Sequence, residues 1–202
     1  MNKKKTPLLF ALFIAIVSVF LPVSKAKVSI CVNYDKELVS IAQLFCDSGS
    51  GYIEENSFKA EISDKKADFV VGEDTINKIN SLRLDPAAEQ QDDFSIKEIS
   101  LKCNGKCILV YSSAELRKYV LSVSNAVIDD ENMKLTNIQD DSNICFSGAL
   151  ASELKKAVED RIKSVNLVKR IFKSVIIFCS ISVIVLFIEY IFKRNSRIIQ
   201  YY

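Results

Sequence analysis

Residues 175–192 form an 18-residue apolar run interrupted by a single charge, Glu189. At about 1.5 Å per residue this is about 27 Å of helix, close to the ~30 Å hydrocarbon thickness of a bilayer. A helix in a soluble core keeps a polar stripe over such a length, and this run has none. The run, with flanking Ser174, is therefore expected to be a transmembrane helix over residues 174–192. Tyr190 suits an interfacial position, and Glu189 lies one helical turn from Lys193, within reach of that lysine or of the headgroup layer. Lys193, Arg194 and Arg197 make the ten residues that follow a short basic tail, expected to be cytoplasmic.

A second apolar run opens the chain. Lys3, Lys4 and Lys5 precede an unbroken stretch over residues 8–21, then Pro22 and Ser24-Lys25-Ala26. Basic start, short apolar stretch and small residues before a cut are the layout of a secretory signal. The 14 residues of the stretch reach only about 21 Å, too short to span. Cleavage after Ala26 is expected, with residues 27–165 exported. The segment before the span carries Arg161, Lys163, Lys169, Arg170 and Lys173 against three cations after it. Loop charge alone would place the domain in the cytoplasm. Long domains, however, translocate largely regardless of charge, so the signal sets the expected orientation, with the domain on the periplasmic or extracellular side.

Charge is divided along the chain. Residues 27–160 hold 24 acidic and 15 basic side chains, a net charge of −9, although the whole chain carries +2. An acidic domain repels phosphate and argues against a nucleic-acid partner. Lys163, Lys169, Arg170 and Lys173 fall in or beside the basic juxtamembrane segment (166–173) and are the residues expected to meet the membrane surface.

The chain has no histidine, which excludes Ser-His-Asp and Cys-His nucleophile systems and makes a zinc site improbable on its cysteines. No phosphate loop or dinucleotide fingerprint is present, and no acidic pair fits a calcium loop. No cofactor, metal or catalytic residue is expected. Five cysteines precede the span, and Cys103 and Cys107 bracket Asn104-Gly105-Lys106, a strong hairpin signal. A two-residue turn would send their sulfurs to opposite faces and a three-residue loop would set them opposite each other. Cys103–Cys107 is the candidate disulfide, contingent on that register.

Val28-Ser-Ile-Cys-Val32 alternates as a strand, and Leu38, Ile41, Ala42 and Phe45 follow at helical spacing. Ser48-Gly-Ser-Gly51 reads as the end of that helix. Residues 67–72 read as a buried strand, and Ile76, Ile79 and Leu82 as one face of a helix over 75–82. After a polar loop at 85–93, residues 94–103 and 107–111 form the hairpin. Ser112 and Glu115 make a capping box for a helix running to about Leu121. Residues 126–128 and 143–146 read as strands, and 150–165 as a final amphipathic helix. Strand alternating with helix implies an α/β fold: a small mixed-sheet domain with some parallel pairing, plus one C-terminal transmembrane helix.

The order of the Val28 strand, the helix through Ile41-Ala-Gln-Leu-Phe45, the Ser48-Gly-Ser-Gly51 turn and Lys66-Ala-Asp-Phe-Val-Val-Gly-Glu-Asp74 resembles the first lobe of periplasmic solute-binding proteins. The molybdate-type branch is the nearest in layout, over about residues 27–83. The resemblance implies a truncated version of that fold, with a small ligand held by hydroxyls and backbone amides at strand ends. It places Ser48 and Ser50 at the ligand-contacting turn. The expected role is a membrane-tethered, non-catalytic binding or accessory module of the cell envelope, contacting a partner protein or a small ligand. A structural subunit of a membrane complex is the alternative.

Overall fold

The computed structural model describes residues 25–87, 92–129 and 132–199, with side chains to Tyr190. The expected signal (residues 1–24 of it), the centre of the polar loop and the side chains of the expected tail lie outside the described residues. The described chain is mixed α/β. It comprises eleven strands in two antiparallel sheets, a 3-10 turn at Glu54–Asn56, two short α-helices and one long C-terminal helix.

The strands are β1 (Val28–Tyr34), β2 (Ile41–Asp47), β3 (Ser57–Glu61), β4 (Lys66–Val70), β5 (Ser81–Asp85), β6 (Phe94–Cys103), β7 (Lys106–Ser112), β8 (Val120–Ser124), β9 (Val127–Ile128), β10 (Lys134–Thr136) and β11 (Asn143–Phe146). The helices are α1 (Glu73–Ile76), α2 (Ser113–Arg117) and α3 (Gly148–Ile199). One sheet runs β4-β1-β6-β10-β9, with β7 also on β6; the other runs β3-β2-β5-β11-β8. Every strand pair is antiparallel, which corrects the expected parallel pairing. Parallel neighbours need a crossover of a dozen or more residues. Here β1 passes to β2 through six residues, and β2 belongs to the other sheet.

The helix expected over 37–45 is where the reading fails. Leu38, Ile41, Ala42 and Phe45 fit a helical stripe, but Ala42, Leu44 and Cys46 also alternate, and these three point into the core. Phe45 is buried on the opposite face, so the residue that completes the helical stripe packs outside the core. The element order behind the solute-binding resemblance therefore has a strand at its second place. Residues 75–82 differ as well: α1 ends at Ile76, and β5 begins at Ser81. Ile76, Ile79 and Leu82 are all buried nonetheless, because a turn and a strand present them to the same core.

Other expectations hold. Asn104 and Gly105 both take positive φ, 51° and 76°, as a two-residue hairpin turn requires. The capping box forms, with the Ser112 amide donating to Glu115 at 2.8 Å, and opens α2. The helix it opens is shorter than expected, because β8 starts at Val120. The helix expected over 150–165 begins at Gly148 and runs without interruption into the apolar run.

The two sheets share one apolar core. Val28, Ile30, Val32 and Phe69 of the first sheet meet Leu44, Leu84, Ile144 and Phe146 of the second. Leu150, Ala151, Leu154 and Val158, at helical spacing on the first turns of α3, join this core. Glu153 on the same turns accepts hydrogen bonds from the Tyr111 and Tyr119 hydroxyls, and the two rings meet edge to face. The compact unit so formed covers Lys25–Ile162; Lys163–Tyr202 fall in a second unit. In the long helix an 18-residue window has mean hydropathy 2.7 and none of it is buried, so this helix is long and apolar enough to cross a membrane.

Tyr34 closes one end of the core. Its ring packs edge to face on Phe94, and its buried hydroxyl donates to the Pro86 carbonyl at 2.8 Å. Burial also pushes this phenol above the ordinary tyrosine range. Tyr34→Phe keeps the packing but strands a buried carbonyl, so a loss of about 1–3 kcal/mol is expected from urea unfolding of the detergent-solubilised chain. Tyr52→Phe, whose hydroxyl is only part-buried, is expected to cost less.

Candidate functional site

The outward face of the five-stranded sheet is polar, set by the same alternation that fills the core. Ser57, Phe45, Arg83, Cys145 and Ser122 form one row across β3, β2, β5, β11 and β8. The Arg83 guanidinium lies over the Phe45 ring, 4.6 Å from its centre, and this contact covers Phe45 on the outer face. It also grips Asp85 in bidentate fashion, with Nε to Oδ1 at 2.8 Å and Nη2 to Oδ2 at 2.7 Å. Two residues apart on one strand, the pair shares a face and is largely shielded from solvent, with side chains 23% and 13% exposed. Burial pushes the Asp85 carboxyl above its usual range despite Arg83, and Asp141 adds to the rise. The hydrogen bond to Asp85 raises Arg83 in turn.

Beside this pair lies a cleft of about 200 Å³ lined by Ile41, Gln43, Lys59, Asp85, Asp141 and Ser142. A larger open cleft of about 700 Å³ lies against residues 37–41 and 59–62. Ile41 and Lys59 line both, so the two form one furrow along β2 and β3. Its lining is mixed. Val39, 95% exposed, stands at the rim and Ile41 is 52% exposed, while Glu37, Glu61, Asp85 and Asp141 give it acidic character. Lys59 is engaged by Glu54 at 2.9 Å, and Gln43 donates to Glu54 and to Ser57 at 2.9 and 2.8 Å. Such a surface suits recognition: exposed apolar side chains supply contact area, and fixed polar groups supply orientation.

The residues singled out from sequence lie elsewhere. Ser48 and Ser50 sit in the turn after β2, with Gly49 and Gly51 at φ of 113° and 84°, values glycine tolerates. This turn curls around the chain's own carboxylate. Asp47 Oδ1 accepts from the Gly49 and Gly51 amides at 2.7 and 2.9 Å, and Oδ2 accepts from Ser81 at 3.3 Å. The backbone cradle that the resemblance offers to a ligand is thus engaged by Asp47. Ser48 also borders a cleft of about 220 Å³ with Cys46, Asn56, Asp74, Thr75, Lys78 and Ile79.

Cys103 and Cys107 are not joined. The two-residue turn pairs Cys103 with Lys106 and, in the same register, Lys102 with Cys107; the register shifts only beyond that pair, where Leu101 meets Leu109. Cys103 is buried in the core and Cys107 is exposed on the outer face, so the register expected for a two-residue turn corrects the disulfide. The other cysteines of the described chain are thiols as well. Cys31 lies outward on β1 beneath Asn33, Lys102 and Asp68, and burial raises its thiol above the ordinary range.

Lys163, Lys169, Arg170 and Lys173 all lie on α3, in the unit that carries the apolar window. Among the described residues no group of three or more acidic or cysteine side chains is placed to hold a metal ion. The furrow escaped the sequence reading because residues 37–45 were assigned helical spacing. The alternation of Gln43 with Ala42 and Leu44, and of Asp85 with Leu84, is the signal that marks its lining. No protein-family model, curated protein or solved structure matches this chain.

The Asp47 turn has a defined acid dependence. The Gly49 amide above all, with Gly51 and Ser81, holds the Asp47 carboxyl below its usual range. Its contribution to stability is therefore full above an unfolded pKa of about 3.9 and is lost as pH falls through the lower folded value. Asp47→Asn, which keeps a hydrogen-bond acceptor but removes the charge, is expected to lower the melting temperature near neutral pH. The gap to the native chain should narrow as pH falls below about 3.9 and through the lower folded value, as read from melting curves across that range.

Proposed function

We propose that this chain is a membrane-tethered, non-catalytic binding or accessory module of the cell envelope. Its β-rich domain stands on the periplasmic or extracellular side, and α3 anchors it as a single span. The furrow of β2 and β3 is the surface that contacts a partner protein or a small ligand. The observation that carries the reading is this concave, partly apolar furrow, whose exposed Val39 and Ile41 lie among fixed acidic and amide groups. A purely structural subunit would be expected to offer a flat apolar patch instead. Support for the non-catalytic part comes from chemistry: the chain has no histidine, and the furrow's Lys59 is engaged by a carboxylate rather than by a hydroxyl it could activate. Support for the side of the membrane comes from the basic and apolar N-terminal layout of the sequence.

A photo-crosslinking residue at Val39 in intact cells tests the furrow. Val70, about half exposed on the outer face of the other sheet, is the control position. A discrete adduct is expected from position 39, absent from position 70 and abolished by Ile41→Arg. Equal adducts from both positions, or none from position 39, would contradict the reading.

A further inference from the structure

The furrow is lined by outward side chains whose spacing the sheet register sets. Glu61 of β3 stands opposite Ile41 of β2, and two residues further along β2, Gln43 stands opposite Asp85 of β5. With strands about 4.8 Å apart and a rise of about 3.4 Å per residue, the Cα atoms of Glu61 and Asp85 lie about 12 Å apart. Ile41, half exposed, lies between them. The order across the furrow is therefore carboxylate, apolar side chain, carboxylate.

Negative charge is in excess at both ends of this row. At one end the Arg83 guanidinium grips Asp85 and also feels Asp141, so one cation faces two carboxylates. Burial and then Asp141 push the Asp85 carboxyl up, although Arg83 is bonded to it. At the other end Lys59, two residues from Glu61 on the same face of β3, is drawn to Glu54 at 2.9 Å. One lysine again stands among two carboxylates. Glu37 lies between Leu38 and Lys36 in sequence and accepts from the Lys65 amide at 2.9 Å, so these lysines flank it and it is not counted in the excess.

We propose that the furrow binds an extended segment of a partner protein, one that carries two cationic side chains four residues apart with an apolar side chain midway. Extended backbone points every second side chain to one face, and at about 3.3 Å per residue positions i and i+4 lie about 13 Å apart. The two cations meet Glu61 and the Asp85–Asp141 pair, and the apolar side chain at i+2 packs on Ile41. The inference rests on the furrow being a binding surface, and it adds the chemistry and spacing of what that surface takes. Shape favours a protein segment over a small molecule: small-molecule sites enclose most of their ligand, whereas both clefts here are open and join through Ile41 and Lys59. Charge disfavours a second copy of the domain, because residues 27–160 carry −9. A helical segment does not fit the row, since its positions i and i+2 point about 200° apart.

The probe is a short fluorescent peptide of threonines with lysine, valine and lysine at alternate positions, titrated by anisotropy into the detergent-solubilised full chain at low salt. Saturable binding is expected, at least about fivefold tighter than for a peptide of the same composition with the two lysines adjacent and the valine outside them. Glutamates in place of the lysines should abolish binding. Glu61→Gln with Asp141→Asn should weaken it about tenfold, and Ile41→Ser about threefold. Asp68→Asn with Glu98→Gln removes the same charge from the outer face of the other sheet and should change it by less than about twofold. Equal affinity for the two arrangements, or equal weakening by the two charge-removing pairs, would overturn the proposal in favour of diffuse attraction to an acidic domain. Displacement by spermidine that is unaffected by Ile41→Ser would overturn it in favour of a small polycation, and a chain that dimerises and takes up no peptide would overturn it in favour of a second copy. The position-39 adduct in cells separates the two claims. An adduct that forms while the peptide fails to bind overturns the cationic pattern alone, and loss of both overturns the furrow as a binding surface as well.

Discussion

Strand β6 is the constraint on which the domain depends. Its ten residues are hydrogen-bonded to β1 on one side and to β7 and β10 on the other, so it holds three strands in register at once. Phe94, Ile96, Ile99, Leu101 and Cys103 all point into the core, although Ile96 and Ile99 lie three residues apart and strict alternation would send them to opposite faces. A bulge at Lys97, opposite the step from Asn33 to Tyr34, absorbs the extra residue. It also leaves Tyr34 inward, where its hydroxyl finds Pro86. The inner face of the second sheet then packs on a surface that β6 has already set.

Much of this was legible residue by residue. The Asn104-Gly105 turn, the Ser112–Glu115 capping box, β1, β4 and β11 each follow from local chemistry, because turn dihedrals and caps are fixed within a few residues. What local chemistry could not decide was period. Residues 38–46 carry both a helical and an alternating pattern, and only the partners β3 and β5 select the strand. The parallel pairing inferred from that helix fell with it. The same misassignment hid the furrow, since Gln43 and Asp85 are recognisable as neighbours only once β2 and β5 lie side by side. Ser48 and Ser50 do lie in a turn, and the Asp47 carboxylate that closes it bonds amides only two and four residues further on, a local Asx-type contact that only the Ser81 hydrogen bond extends across the fold.

The division of charge gives the proposed role its physical logic. The acidic residues are confined almost entirely to 27–160 and the cations concentrate on residues 161–173, so the chain separates an acidic domain from a basic collar beside the apolar run. Two of the furrow's polar groups are paired with neighbours, Asp85 with Arg83 and Lys59 with Glu54, and the first pair is largely shielded from solvent.

The central claim of the proposal is that a folded domain stands on the periplasmic or extracellular side of the membrane on a single span. Cys107 reports on it directly, being the exposed thiol of the domain, while Cys31, Cys46 and Cys103 are buried. Intact cells producing the full chain would be treated with a membrane-impermeant maleimide, without reductant, and the membrane fraction examined. Labelling of the native chain that is lost in Cys107→Ser is the result the account predicts. Labelling at Cys107 that appears only after lysis would place the domain in the cytoplasm and contradict it.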